Sequence, residues 1–128
     1  MSILLDTHSW VWALDDVPRF STAAQQAIEG AEAIFVSPIT LYEICQKVRL
    51  RKWPEMVSHV NNLEGLLAEQ SIVLSPITAG VAARAGLLDW AHRDPFNRII
   101  AATALVNGWG LVSADAEFDS FTGLRRIW

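Results

Sequence analysis

The feature that most constrains the fold is a set of four short runs of branched apolar residues, at positions 3–5, 34–36, 72–74 and 111–112. They lack polar alternation, which is the pattern of strands buried on both faces of a sheet. The stretches between them carry helical spacing. Thr7, Trp10, Val11 and Leu14 fall at i, i+3, i+4 and i+7, one stripe of a helix. Ser21 caps a helix that stops at Gly30, and Thr78 caps another that runs to about position 90. A helix over 41–52 stops near Trp53 and Pro54. There a further amphipathic helix with Met56, Val60, Leu63 and Leu67 on its apolar face is predicted. Pro95, a favoured first helical residue, opens the last long helix, which Asn107 and Gly108 close. Positions 125–128 add a terminal strand. Parallel neighbours need a crossover of about a dozen residues, so strands alternating with helices predict a mainly parallel sheet with helices on both faces.

A chain of 128 residues with 52% hydrophobic and 19% charged residues is expected to fill one core, as a single domain over 1–128. The formal charge of -4 argues against a nucleic-acid binder that works by general basic attraction. A phosphate ligand would need positive charge from elsewhere. The lone Cys45 suits a reducing compartment and is expected to be a core thiol, and the protein is expected to be cytoplasmic, without membrane segments.

In sheets of this class the ligand site forms outside the carboxyl ends of the strands. Asp6 directly follows the first run and Asp115 follows the fourth after Ser113 and Ala114. Glu43 lies in the helix after the second run, and Asp94 opens the helix leading to the fourth. Four carboxylates at one edge repel, each close pair at about 4 Å costing roughly 4 kcal/mol at an effective dielectric of 20. They are therefore expected either to protonate or to hold a cation. Carboxylates without His or Cys ligands suit Mg²⁺ or Mn²⁺, whose chemistry with phosphate is phosphodiester hydrolysis.

Each acid also has an ordinary explanation. Thr40 to Glu43 has capping-box spacing, Asp94 before Pro95 is a good N-cap, Asp6 can cap the first helix, and Asp115 can sit in a turn. The set of four is more informative than any member. Among the histidines, His92, beside Arg93 and Asp94, is best placed to touch a phosphate. His8 and His59 lack partners at metal-ligand spacing. Lys47, Arg49, Arg51 and Lys52 form the one basic patch, which serves equally as a solvated helix end or a phosphate contact. Trp53 beside it suits stacking on an unpaired base or a place in a core or interface.

The segments Leu4-Leu5-Asp6-Thr7-His8 with Trp12, Ser37-Pro38-Ile39-Thr40-Leu41-Tyr42-Glu43, His92 to Arg98, and Leu111 to Asp115 together resemble the PIN domain, in particular VapC-type ribonuclease toxins. The resemblance implies a three-layer α/β/α sandwich whose acids line a metal site and cleave single-stranded or looped RNA, and the four placed acids motivate a metal-dependent endoribonuclease that leaves a 5′-phosphate and a 3′-hydroxyl. Asp6, Glu43, Asp94 and Asp115 match the family's catalytic acids, with Asp6, Asp94 and Asp115 as ligands of Mg²⁺ or Mn²⁺. Thr7 and Ser113 match its small hydroxyl positions. Lys47, Arg49, Arg51, Lys52 and Arg93 are the candidate RNA contacts. The implied partners are RNA, a cognate antitoxin protein and a second copy of the chain. Asn97 departs from the pattern, standing where the family often has a second Asp. One turn from Asp94, it faces the same side and keeps an amide oxygen for a metal or its water, but it removes a charge and weakens any second metal site. Asp119 is a candidate compensation. The competing reading is a catalytically weak PIN-like module that binds RNA or protein. A phosphoryl-accepting domain using Asp6 is disfavoured, because no second acid stands two residues on.

Overall fold

The computed structural model describes residues 1–15, 19–120 and 122–128. Its strands are β1 Ile3–Leu5, β2 Ile34–Val36, β3 Val73–Leu74, β4 Gly110–Val112 and β5 Arg126–Ile127. Its α-helices are α1 Thr7–Ala13, α2 Thr22–Glu29, α3 Pro38–Arg49, α4 Leu63–Glu69, α5 Ala79–Leu87 and α6 Pro95–Asn107. All five strands lie in one sheet, ordered β3-β2-β1-β4-β5, and every neighbouring pair is parallel. The expected central sheet, helix-covered on both faces, is therefore present. No helix of the described residues is long and apolar enough to cross a membrane.

Successive strand side chains point to opposite faces, which divides the core in two. Ile3, Leu5, Val36 and Val112 join Trp10, Ala24, Ile44, Met56, Leu63 and Leu67 on the side covered by α1 to α4. Leu4 and Leu111 join Ile100, Ala101, Ala104 and Phe118 on the side covered by α6. α5 packs outside α6 through Val81, Ala85 and Ala102. Burying each large apolar side chain contributes about 1.5–3 kcal/mol, and Trp10, Ile3 and Leu4 are completely inaccessible. The chain steps from β1 through β2 to β3 in one direction, then crosses over to β4 on the other side of β1. Right-handed crossovers in opposite directions put their helices on opposite faces, which accounts for the division of α1–α4 from α5–α6. Gly110 lies where β4 meets β5. A Cβ there would stand 2.8 Å from Ile127 Cδ1.

Four expectations need correction. α3 begins at Pro38, because Ser37 Oγ accepts from Ile39 N–H at 3.2 Å and caps the helix three residues before position 41. It ends at Arg49, where Arg51 N–H donates to Val48 O and Lys52 N–H to Lys47 O, the paired bonds of a Schellman turn. The expected helix after Trp53 is a 3-10 turn over Pro54–Met56, i+3 turns at 56–62, and then α4. The apolar positions Met56, Leu63 and Leu67 are buried as the pattern implied, but through two separate elements. α5 stops at Leu87, where Arg98 takes the carbonyls of Ala85 and Gly86 in the last turn and those of Leu88, Trp90 and His92 beyond it. Cys45 is exposed on α3, so it is not a core thiol.

Candidate functional site

The direction of the chain across the sheet reverses between β1 and β4, and the carboxyl ends of those strands carry Asp6 and the 113–115 turn. This is the crevice where doubly wound sheets place ligands. Asp6 N–H donates to Val112 O at 3.2 Å, locking the strand end. Asp6 Oδ1 caps α1 by accepting from Ser9 N–H at 2.9 Å. Its Oδ2 accepts from Ser113 Oγ at 2.5 Å. Ser113 Oγ in turn accepts from Asp115 N–H at 3.0 Å. One hydroxyl thus connects the first and fourth strand ends.

Glu43 joins the site from α3. Its Oε1 accepts from Thr7 Oγ1 at 2.7 Å, and Thr7 Oγ1 also lies 3.0 Å from Thr40 Oγ1. Its Oε2 pairs with Lys47 Nζ at 2.7 Å. Glu43 is therefore no capping-box residue. Ser37 caps α3, and Glu43 stands in the helix interior, buried, with a cation one turn on. Lys47 Nζ also lies 5.1 Å from the centroid of the Trp53 ring.

The opposite wall is a loop and the start of α6. Asp94 Oδ1 accepts from Phe96 N–H at 2.9 Å, so Asp94 is the N-cap. Asp94 N–H donates to His92 Nδ1 at 3.2 Å. A backbone N–H only donates, so the neutral ring carries its proton on Nε2, which lies 2.9 Å from Glu117 Oε2. Asn97 Nδ2 lies 3.2 Å from the same nitrogen. Glu117 N–H returns to Asp115 Oδ1 at 3.0 Å, closing a ring of contacts around His92. Arg98 supports this wall. Its guanidinium donates to the carbonyls of Ala85, Gly86, Leu88, Trp90 and His92 at 2.6–3.4 Å. Five donors meeting five carbonyls fix the end of α5 and residues 88–93 to α6.

Burial raises the pKa of Asp6 above its ordinary value, while hydrogen bonds from Ser113 and Ser9 and the nearby His8 pull it down. No cationic side chain among the described residues pairs with it. Asp119, the candidate compensation for Asn97, is instead bound through both oxygens to Arg126, each at 2.9 Å. Arg126 holds its carboxyl below the usual carboxylate range. It also donates to Ser113 O at 3.1 Å, so that pair braces β5 against the site. Arg49, Arg51, Lys52 and Arg93 are exposed and make no ion pair among the described residues. Lys47 alone of the basic patch is engaged. Arg51 adopts a left-handed backbone, φ 58°, at the Schellman position that usually takes glycine.

A divalent cation fits these residues on two counts. Asp6 is a buried carboxylate bonded to neutral groups, and a positive ion would offset the cost of its charge. Among the described residues His92, Asp115 and Glu117 each offer a ligand atom within 4.8 Å of the others, a group that does not include Asp6 or Asp94. His92 Nε2 serves as a ligand only once its proton moves to Nδ1 and the bond from Asp94 N–H is given up. Glu117 was missed in the sequence, although its place two residues after Asp115 in a turn was the available signal. An imidazole donor favours transition ions over Mg²⁺, and Mn²⁺ accepts carboxylates as well.

A family model described as PIN domain matches residues 3–124. Ribonuclease VapC22 of Mycobacterium tuberculosis is 33% identical over 127 residues, covering 98% of this chain and 96% of that protein. Among solved structures, the DNA-bound VapBC of Salmonella typhimurium superposes with a TM-score of 0.70 at 18% identity, over 98% of this chain and 96% of that one. A toxin-antitoxin complex from Klebsiella pneumoniae gives 0.64 at 19% identity, over 95% and 94%. At those identities the structures speak for the fold.

Proposed function

The chain belongs to the PIN domain family, and on that premise we propose that it is a divalent-metal-dependent endoribonuclease acting as the toxin of a toxin-antitoxin pair. The observation that carries this reading is Asp6: buried, without a cationic partner among the described residues, and tied through Ser113 to the Asp115 turn. The relative named a ribonuclease, alike over nearly the whole of both chains, supports RNA as the substrate. The neighbour titled a toxin-antitoxin complex supports a protein partner.

In this reading Asp6, Asp94 and Asp115 would hold Mg²⁺ or Mn²⁺, and His92 and Glu117, which stand beside Asp115, would favour Mn²⁺. A cation bound there would supply positive charge to the scissile phosphate and make a nearby water more acidic. Glu43, fixed by Thr7 and Lys47, accepts the proton that the attacking water gives up. Water oxygen bonds to phosphorus, the bond to the 3′ oxygen breaks, and a proton goes to that oxygen. The products are a 5′-phosphate and a 3′-hydroxyl. Asn97 stands beside His92 and adds no charge. Arg49, Arg51, Lys52 and Arg93 are exposed cations on which the flanking phosphates can lie.

Single-stranded RNA incubated with the protein should be cut in Mn²⁺ or Mg²⁺ and spared in chelator, and Asp6→Asn and Asp94→Asn should each abolish cutting. Cleavage untouched by both substitutions would overturn the reading. Titration of Mn²⁺ by calorimetry gives a readout independent of activity. Binding without turnover would instead favour the catalytically weak module that Asn97 motivates. For the partner, a small protein encoded beside this chain should suppress cleavage when the two are mixed.

A further inference from the structure

A cleft of about 420 Å³ opens next to the acids, on the side of α1 and the end of α3. Its lining includes the rings of His8, Trp12 and Trp53 and the cations Arg19, Lys47 and Lys52. We propose that this cleft seats one unpaired base of the RNA strand, stacked on His8 and Trp53, with the adjoining phosphate on Lys52. The proposal rests on the ribonuclease reading and extends it to the form of the substrate.

Three observations carry it. The first is the aromatic surface. His8 lies 5.3 Å from Trp53 at an interplanar angle of 33° and 6.1 Å from Trp12. The His8 side is exposed to solvent while Trp12 and Trp53 are half-buried. Rings anchored on one side and open on the other give a base a flat face at low ordering cost, and every base has a π-face to offer. The second is charge. With Lys47 paired to Glu43, Arg19 and Lys52 line the cleft against Asp15 and Glu55, and Arg51, exposed in the turn just before Lys52, adds the positive charge that suits a phosphate next to the stacked base. The third is continuity with the acids. Lys47 both pairs with Glu43 and lies over the Trp53 ring, so one side chain is the shared wall of the cleft and the catalytic carboxylate. His8 follows Asp6 by two residues in the first turn of α1. A base held in the cleft therefore belongs to a nucleotide close to the bond that is cut. The same volume, about 420 Å³, is within the roughly 300–1,000 Å³ of small-ligand sites. Paired RNA would keep its bases from reaching the rings, so the seat is compatible with the unpaired RNA that the family resemblance implies.

The test is Mn²⁺-dependent cleavage of a 12-nucleotide single-stranded RNA and of a series in which one nucleotide at a time is abasic. For the wild-type protein, one abasic position near the cut should raise KM about ten-fold. His8→Ala and Trp53→Leu should raise KM for the intact RNA by a similar factor, with little further effect of that abasic position and with kcat within about two-fold. Lys52→Ala should raise KM and reduce its salt dependence. Trp53 contacts the core, so the exposed His8 and Lys52 substitutions decide the matter if Trp53→Leu folds poorly. Substitutions that leave KM unchanged, or whose effects multiply with the abasic effect, overturn the proposal. So does RNA cleavage that is unaffected while binding of a partner protein is lost, since the cleft then belongs to that partner. Wild-type protein that cuts no RNA in Mn²⁺ overturns the ribonuclease reading, and this assignment with it.

Discussion

The two walls of the site are built differently. The wall made by β1, α1 and α3 holds Asp6, Thr7 and Glu43, all buried, with the carboxylate oxygens bonded to Ser9, Ser113, Thr7 and Lys47. The facing wall, residues 92–97 and 113–117, holds His92, Asp94, Asn97 and Asp115 half-exposed and Glu117 exposed. Its loop is fixed from behind by Arg98. The buried wall places carboxylates where water solvates them poorly, so in the proposed reading it would set the need for a cation. The looped wall carries its side chains nearer to solvent, so in the proposed reading it would set which cation is taken and how tightly. Under the proposed metal-dependent reading, a site assembled this way would separate the requirement for metal from the choice of metal.

The largest effect should come from the buried wall. Asp6→Asn should lower cleavage on the order of 10³-fold, the loss of one electrostatic participant in the transition state. It should also raise the stability of the metal-free protein at neutral pH. The pKa of Asp6 in the fold lies above its ordinary 3.8, so the native state binds the proton more tightly than the unfolded chain does. That stabilisation is complete below 3.8 and is lost as pH rises through the raised value. Asparagine does not ionise and should flatten this loss, as urea midpoints in chelator between pH 3 and 8 will show. Lower stability of Asp6→Asn at pH 7 would mean that the protein itself compensates the charge.

Arg98→Ala comes next, at about 3 kcal/mol, because five carbonyls lose their donors together. Arg98→Lys should recover only part of this, since an ammonium cannot reach five carbonyls in one plane. Both should loosen Mn²⁺ binding through the looped wall while leaving the Thr7–Glu43 contact intact, as calorimetry and thermal melts can separate. Glu117→Gln is smaller: about ten-fold weaker Mn²⁺ binding, with less change for Mg²⁺ and no loss of stability. Equal weakening of the two ions would remove the looped wall from metal choice. The smallest is Arg51→Gly. Glycine relieves the left-handed backbone but frees the unfolded chain, for a net gain of up to about 1 kcal/mol. If the strain is kept for phosphate contact, KM for RNA should rise as the protein becomes more stable.

Strand positions were legible because a buried parallel strand writes itself as an uninterrupted branched run: 3–5 and 34–36 coincide with β1 and β2. Helix ends were legible where a local residue sets them, as at Ser21, Gly30, Thr78, Asp94 and Gly108. They failed where a distant group sets them. The end of α5 depends on Arg98, thirteen residues from Ala85, and no local signal marks it. The break between Met56 and Leu63 was hidden because apolar residues at helical spacing are also what a turn and a short helix bury against one core. Cys45 was misplaced because composition does not say which side of α3 faces out.

For the acids, the sequence by itself determined which strand ends carry carboxylates, since residue order and a parallel sheet force positions 6 and 115 to one edge. It also determined the departure at Asn97. Only the tertiary structure decided that Glu43 is locked between Thr7 and Lys47, that Asp119 is consumed by Arg126, and that His92 and Glu117 stand beside Asp115. The reason is physical. Periodicity and capping act over a few residues and can be read along the chain, whereas ion pairs and hydrogen bonds between elements depend on which surfaces the crossovers bring within about 3 Å.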